Sequence, residues 1–184
     1  IYRFTTDPSA YHPKNYSSLV RIIDNEKMNA VGRRDTALSK TWYDHNRDSV
    51  LMTELKKDTY NFFNNQKVLP VGDGTYETSS TQYNLWTTFK PYKPLLKGKG
   101  YTKGFLPMTY RSTNDFADRK VIAYLVNRFI NPVIKDFFLS NGITIDENIF
   151  ALSEIIQFIW RSAVRNGEQV TVYVPSSRMR LLRS

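Results

Sequence analysis

The chain of 184 residues carries a net charge of +9, 41% hydrophobic and 14% aromatic residues, and no cysteine. That apolar content suits one globular core and argues against a disordered chain. Disulfides, thiol catalysis and cysteine-ligated metals are excluded, and a pI ≈ 9.7 invites a polyanionic partner.

Residues 1–15, with Pro8 and Pro13, read as turn-rich and extended, and 19–23 as a short strand. Helices are expected over 34–45 and 48–64, the second with apolar Leu51, Leu55, Phe62 and Phe63. Residues 71–81 form a Gly/Ser/Thr loop and a candidate hinge. A strand over 83–89 runs into 90–104, where Pro91, Pro94, Gly98, Gly100 and Gly104 forbid a long regular element. A second short strand follows over 105–109, then a helix over 115–140 interrupted near Asn131-Pro132 and ended by an Asn141-Gly142 left-handed cap. A helix over 148–167, a strand over 170–174 and a last helix over 175–183 complete the order. Helices alternating with strands predict an α/β fold: a single layered domain, mainly parallel sheet flanked by helices.

Residues 148–167 separate into two faces when plotted at about 100° per residue. Ile149, Leu152, Ile155, Ile156, Ile159, Trp160 and Ala163 form a broad apolar sector, opposite a stripe of Glu154, Gln157, Arg161 and Arg165. A glutamine and two arginines presented in a row suit bidentate recognition of phosphate, although most such stripes are solvated faces.

Between residues 78 and 114 there is no acidic residue, while Lys90, Lys93, Lys97, Lys99, Lys103 and Arg111 alternate with Tyr83, Trp86, Phe89, Tyr92, Tyr101, Phe105 and Tyr110. Lysines neutralise phosphates and aromatic faces stack on unpaired bases, so the stretch is a candidate nucleic-acid surface. Equally, its aromatics fit a core beneath a basic loop. The run from Gly98 to Gly104 lacks the Gly-Lys-Ser/Thr triplet of a Walker A loop and reads as a flexible loop. Asp146-Glu147 leads into a helix, where its charge favours the dipole. His12 and His45 are isolated, so no metal site is expected.

Several motifs together resemble helicase-like replication proteins of bacteriophages. The resemblance runs from Leu85-Trp86-Thr87-Thr88-Phe89-Lys90 through Arg111-Ser112-Thr113-Asn114 and Asn127-Arg128-Phe129 to the Gln157, Trp160-Arg161 and Arg165-Asn166-Gly167 segment. It implies the second RecA-like lobe of a superfamily 2 helicase over 81–184. Residues 1–80 would be an extended, then helical, segment belonging to or packed on that domain.

By that resemblance the Gln157/Arg161/Arg165 helix is similar to motif VI, although Val164 holds the usual place of the second arginine. Arg161 would be the arginine finger, Arg165 a second phosphate contact and Gln157 a coupler. Arg111, Thr113 and Asn114 would grip a single strand, of DNA in this expectation, together with Trp86, Lys90, Lys93, Lys97, Lys99 and Lys103. ATP and Mg2+ would be held mainly by a first RecA-like lobe absent from this chain, so the chain would have no ATPase activity alone.

The alternative is a non-enzymatic nucleic-acid-binding accessory module of a phage or virus. No apolar run approaches a membrane span, and a soluble, cytoplasmic location is expected. Starting at Ile1 and stopping within an Arg/Leu-rich run, the chain reads as a piece of a larger one.

Overall fold

Continuous apolar runs such as 121–126 cannot be assigned to helix or strand by periodicity alone; burial on both faces decides it. The computed structural model describes residues 16–65, 69–71, 75–77, 81–110 and 115–182. In chain order the principal elements are β1 (Val20–Ile22), α1 (Lys40–His45), α2 (Val50–Asn65), β2 (Leu69–Val71), β3 (Thr75–Glu77), β4 (Asn84–Thr87), α3 (Lys93–Leu96), β5 (Val121–Tyr124), α4 (Pro132–Ser140), α5 (Glu147–Ile159), β6 (Val170–Tyr173) and α6 (Ser177–Leu181).

Four strands form one parallel sheet in the order β1-β6-β5-β4, pairing Val20 with Val170, Ala123 with Tyr173 and Leu85 with Ile122. The fold is a layered α/β domain with a parallel main sheet, in agreement with the α/β expectation. Every residue of β4, β5 and β6 is buried. Alternate side chains therefore feed two separate cores. Trp86, Val121, Ala123, Leu125 and Tyr173 pack with Tyr43 of α1, Leu55 and Phe62 of α2 and Leu96 of α3. Leu85, Ile122, Tyr124 and Val172 pack with Ala151, Ile155 and Phe158 of α5 and Met179 of α6.

The described residues before 81 contribute to the same sheet and core. β1 is a strand of the main sheet, and α2 supplies buried Leu55, Phe62 and Phe63 to the first core. Where a helix was expected over 115–140, β5 occupies 121–124 and only Pro132–Ser140 is helical. Asn131 caps it by accepting from the Val133 N–H, and Pro132 sits in the first turn, where it has no donor to lose. The 34–45 helix shortens to α1, because Leu38 adopts φ 64 and Ser39 caps the helix from an extended conformation. Within the 71–81 stretch expected as a loop, β3 pairs antiparallel with β2. The strand expected over 105–109 reduces to a single bridge between Phe105 and Trp86. Residues 1–15 lie outside the described residues.

Gly98 and Gly104 owe their identity to packing. A Cβ on Gly104 would meet the Asn84 carbonyl oxygen at 2.2 Å, and one on Gly98 the Tyr101 hydroxyl at 2.6 Å.

Candidate ligand cleft at the carboxyl edge of the sheet

In parallel α/β sheets ligands bind outside the carboxyl ends of the strands. Here β4 ends into Thr88 and Phe89, and β5 into Leu125, Val126 and Asn127. The chain leaving β5 is drawn onto the loop before α1: the Asn127 N–H donates to the Leu38 carbonyl at 2.9 Å. The Asn127 amide donates further to the carbonyls of Asp35 (2.6 Å) and Ala37 (2.9 Å). Among the described residues Leu38 is the one non-glycine with positive φ, and it is fully buried. Left-handed backbone at a bulky side chain is strained and persists only where its surroundings fix it. Asn127 and the core do so here.

Arg178, in α6, completes the frame. Its guanidinium donates to Asn127 Oδ1 (2.8 Å), the Arg128 carbonyl (2.8 Å), the Glu147 carbonyl (3.0 Å) and Asn148 Oδ1 (3.1 Å). It also lies 4.3 Å from the centre of the Phe129 ring. Partial burial lowers its pKa, yet a guanidinium stays charged in a protein. One side chain thus ties the end of β5 to the first turn of α5.

This frame borders a cleft of about 1340 Å³. Its walls are Arg34, Thr36 and Ser39; Lys40, Thr41, Trp42, His45 and Asn46 of α1; Phe89; residues 127–132; Ile134 and Phe138 of α4; and Ile145 and Phe150. Among the described residues no aspartate or glutamate lines it. Three cations do, in different states of engagement. Lys40 is paired with Asp44 at 2.8 Å and lies near the Tyr92 hydroxyl, which is itself bonded to Asp44. Arg128 is bridged to Glu154 at 3.0 Å, and its guanidinium lies 5.7 Å from the Phe150 ring centre. Arg34 is exposed. The arrangement can neutralise an anion while offering aromatic faces, chiefly Trp42, Phe89 and Phe129, to a flat apolar group.

The residues singled out from sequence lie elsewhere. α5 stops at Ile159 with Trp160 as its C-cap, so Gln157, Arg161 and Arg165 share no helical stripe. Ser162 is extended, and Arg165 belongs to a separate 3₁₀ turn, Ala163–Asn166, closed by Gly167 at φ 78. The Ala163 N–H donates to the Arg119 carbonyl, ahead of β5. The backbone carrying both arginines is thus at the amino edge of the sheet, opposite the cleft. The Arg161 guanidinium donates to the Met108 carbonyl at 3.3 Å through both terminal nitrogens, and burial lowers its pKa. Gln157 is exposed, and Glu154, the first residue of the expected stripe, is half-buried against Arg128.

Of the apolar sector, Ile149, Ile156 and Trp160 are exposed. Trp86 has no exposed surface and its indole N–H donates to the Tyr101 carbonyl at 2.8 Å, so its ring offers no face to a base. Lys90, Lys97, Lys99 and Lys103 are exposed, and Lys93 sits over the Phe105 ring. None of them lines the cleft. Arg111, Thr113 and Asn114 lie outside the described residues. Sequence inspection missed Leu38 and Arg34 because nothing local marks them; Asn127-Arg128-Phe129 stood only within the resemblance.

Residues 14–184 match the family described as the YonV C-terminal Rossmann-like domain. The SPbeta prophage-derived protein YonV of Bacillus subtilis (strain 168) is 48% identical over 163 residues, covering 89% of this chain and 37% of that protein. The chain therefore spans little more than a third of the relative's length. No solved structure matches it. The dinucleotide fingerprint of many Rossmann folds is not met: the turn after β1 carries Asp24, Asn25 and Glu26 in place of glycines, and carboxylates there would oppose a pyrophosphate. No helix among the described residues is long and apolar enough to cross a membrane.

Proposed function

The chain belongs to the YonV C-terminal Rossmann-like domain family, and on that footing we propose that it is a non-enzymatic nucleic-acid-binding module. Its carboxyl-edge cleft takes single-stranded nucleic acid, in the host cytoplasm of a phage infection. One observation carries the reading: a large cleft lined by Arg34, Lys40, Arg128 and five aromatic residues, with no carboxylate among the described residues that line it. Arg34 and Arg128 contact phosphates, and Trp42, Phe89 and Phe129 receive bases by stacking. Asn127 and Arg178 position these groups without touching the strand. A volume of about 1340 Å³ exceeds the roughly 300–1,000 Å³ of small-molecule pockets and favours several linked nucleotides over one.

The helicase-lobe alternative, acting on ATP and Mg2+ with a first lobe, draws its support from the resemblance alone. The backbone carrying Arg161 and Arg165 stands at the opposite edge of the sheet.

The reading is tested by fluorescence anisotropy with a labelled oligothymidylate of about a dozen nucleotides, within the usual site size. Binding should weaken with salt, with a log–log slope near −0.7 per phosphate neutralised. Arg34→Ala should reduce both affinity and slope. Salt-independent binding, or affinity unchanged in Arg34→Ala combined with Trp42→Ala, would refute it.

A further inference from the structure

Lys40 opens α1, and Asp44 lies one turn further along the same side. A helix dipole favours a carboxylate near its start and a cation near its end, and an acid four residues before a lysine is the better order for an ion pair. In α1 both arrangements are reversed, so helix stability gives no reason for this pair. The Lys40 ammonium nevertheless donates to both Asp44 oxygens at 2.8 Å.

A third group fixes the carboxylate. The Tyr92 hydroxyl donates to Asp44 Oδ1 and accepts from Lys40 Nζ at 3.3 Å, closing a ring of three side chains. Tyr92 is buried, and its ring stacks on Tyr43 with centres 4.8 Å apart. Tyr43 in turn donates to the Leu125 carbonyl at 2.7 Å, at the end of β5. Asp44 is thus tied to the core through a phenol 48 residues away in sequence, where an exposed ion pair by itself is worth little. Lys40 first and Tyr92 second hold its carboxyl below the ordinary aspartate value, so it stays charged.

Lys40 lines the cleft, whereas Asp44 and Tyr92 are not among the described residues that do. The lysine stem is flexible and its ammonium carries three donors, so Nζ can answer either to the anchored carboxylate or to a phosphate in the cleft. The two side chains are 54% and 50% exposed; water reaches both, and the exchange leaves neither charge stranded in the core.

We propose that Asp44 is the residue that sets how firmly the cleft grips phosphate: in the free chain it is the counter-ion of Lys40, and a strand gains Lys40 only by taking its place. This rests on the cleft as a nucleic-acid site. It adds Lys40 to Arg34 and Arg128 as a phosphate contact, one whose strength Asp44 limits.

Asp44→Asn removes the charge and keeps an acceptor for the Tyr92 hydroxyl. Fluorescence anisotropy is read with two probes, a labelled oligothymidylate and a labelled inorganic polyphosphate of similar charge. The variant should bind each about two- to fivefold more tightly, with a log–log salt slope for the strand steeper by about 0.7, one phosphate more. Adding Lys40→Met should return both affinities to wild type. Glu168→Gln removes a carboxylate paired with Lys120, ahead of β5 at the amino edge of the sheet, and should change neither. An Asp44→Asn variant that binds no more tightly than Glu168→Gln overturns the proposal, as does a gain that survives Lys40→Met. Strand binding that depends on Arg34 and Trp42 but ignores Asp44 leaves the module reading standing without this one. Polyphosphate binding that answers to Asp44, with no strand binding, does the reverse, and binding of neither probe removes both.

Discussion

Replacing Leu38 by alanine and, separately, by glycine separates backbone strain from core packing in the loop that frames the cleft. The Leu38 side chain is fully buried, so both substitutions forfeit about 2–5 kcal/mol of packing. At an ordinary position glycine is a further 0.5–1 kcal/mol or so worse than alanine, because it orders a freer backbone. At φ 64 the balance reverses. A residue with a Cβ bears about 1–2 kcal/mol in the left-handed region, and glycine bears none of it. Setting about 1.5 against about 0.75 kcal/mol leaves glycine the more stable by roughly 0.5–1 kcal/mol. In a domain of this size that is about 1–4 °C in Tm. Urea unfolding of the two variants side by side is the assay, since their shared loss of packing cancels. An alanine variant as stable as the glycine variant, or more so, would refute the claim that the loop is held under strain.

Two further expectations concern the frame and the core. Arg178→Met should cost about 2–4 kcal/mol, because it strips four charge-assisted hydrogen bonds and leaves buried Asn127 Oδ1 unpaired; a urea midpoint near wild type would contradict this. Asp58, on α2, has a pKa raised first by burial and then by Glu54. A carboxyl raised in the folded state is best accommodated when protonated, so its cost grows as pH climbs through that raised pKa. Asp58→Asn should therefore raise Tm at pH 7, the gain shrinking as pH falls toward the ordinary aspartate value. A gain independent of pH would assign the effect to something other than ionisation.

Much of the architecture was legible because burial writes it into composition. Val170–Tyr173 alternates β-branched and polar residues and was readable as a strand, and α2 announced itself through Leu55, Phe62 and Phe63. The Asn141-Gly142 pair marked a real stop, with Gly142 at φ 74, whereas Asn166-Gly167, with Gly167 at φ 78, closes a 3₁₀ turn and not the helix expected over 148–167, which ends at Ile159. β5 was hidden because an uninterrupted apolar run fits a buried helix as well as a strand. The candidate stripe misled for a related reason. Periodicity continues through Ser162 in the sequence, whereas Trp160 caps the helix and Ser162 turns it into a 3₁₀ segment.

The cleft was illegible for a different reason. It assembles Arg34, Phe89, Arg128 and Phe150 from four stretches of chain, brought together by Asn127 bonding back across about ninety residues to the 35–38 loop. Composition showed a basic, aromatic chain; it did not show that Trp86 was spent on the core and Trp42 on the cleft wall.

Photo-crosslinking of a 4-thiothymidine oligonucleotide, with the adducts located by mass spectrometry, tests the central claim most directly. The cleft reading predicts adducts on peptides carrying Trp42, Phe89 or Phe129, lost when Arg34 is replaced. Adducts confined to the Lys97, Lys99 and Lys103 segment, or to Arg161 and Arg165, would contradict it.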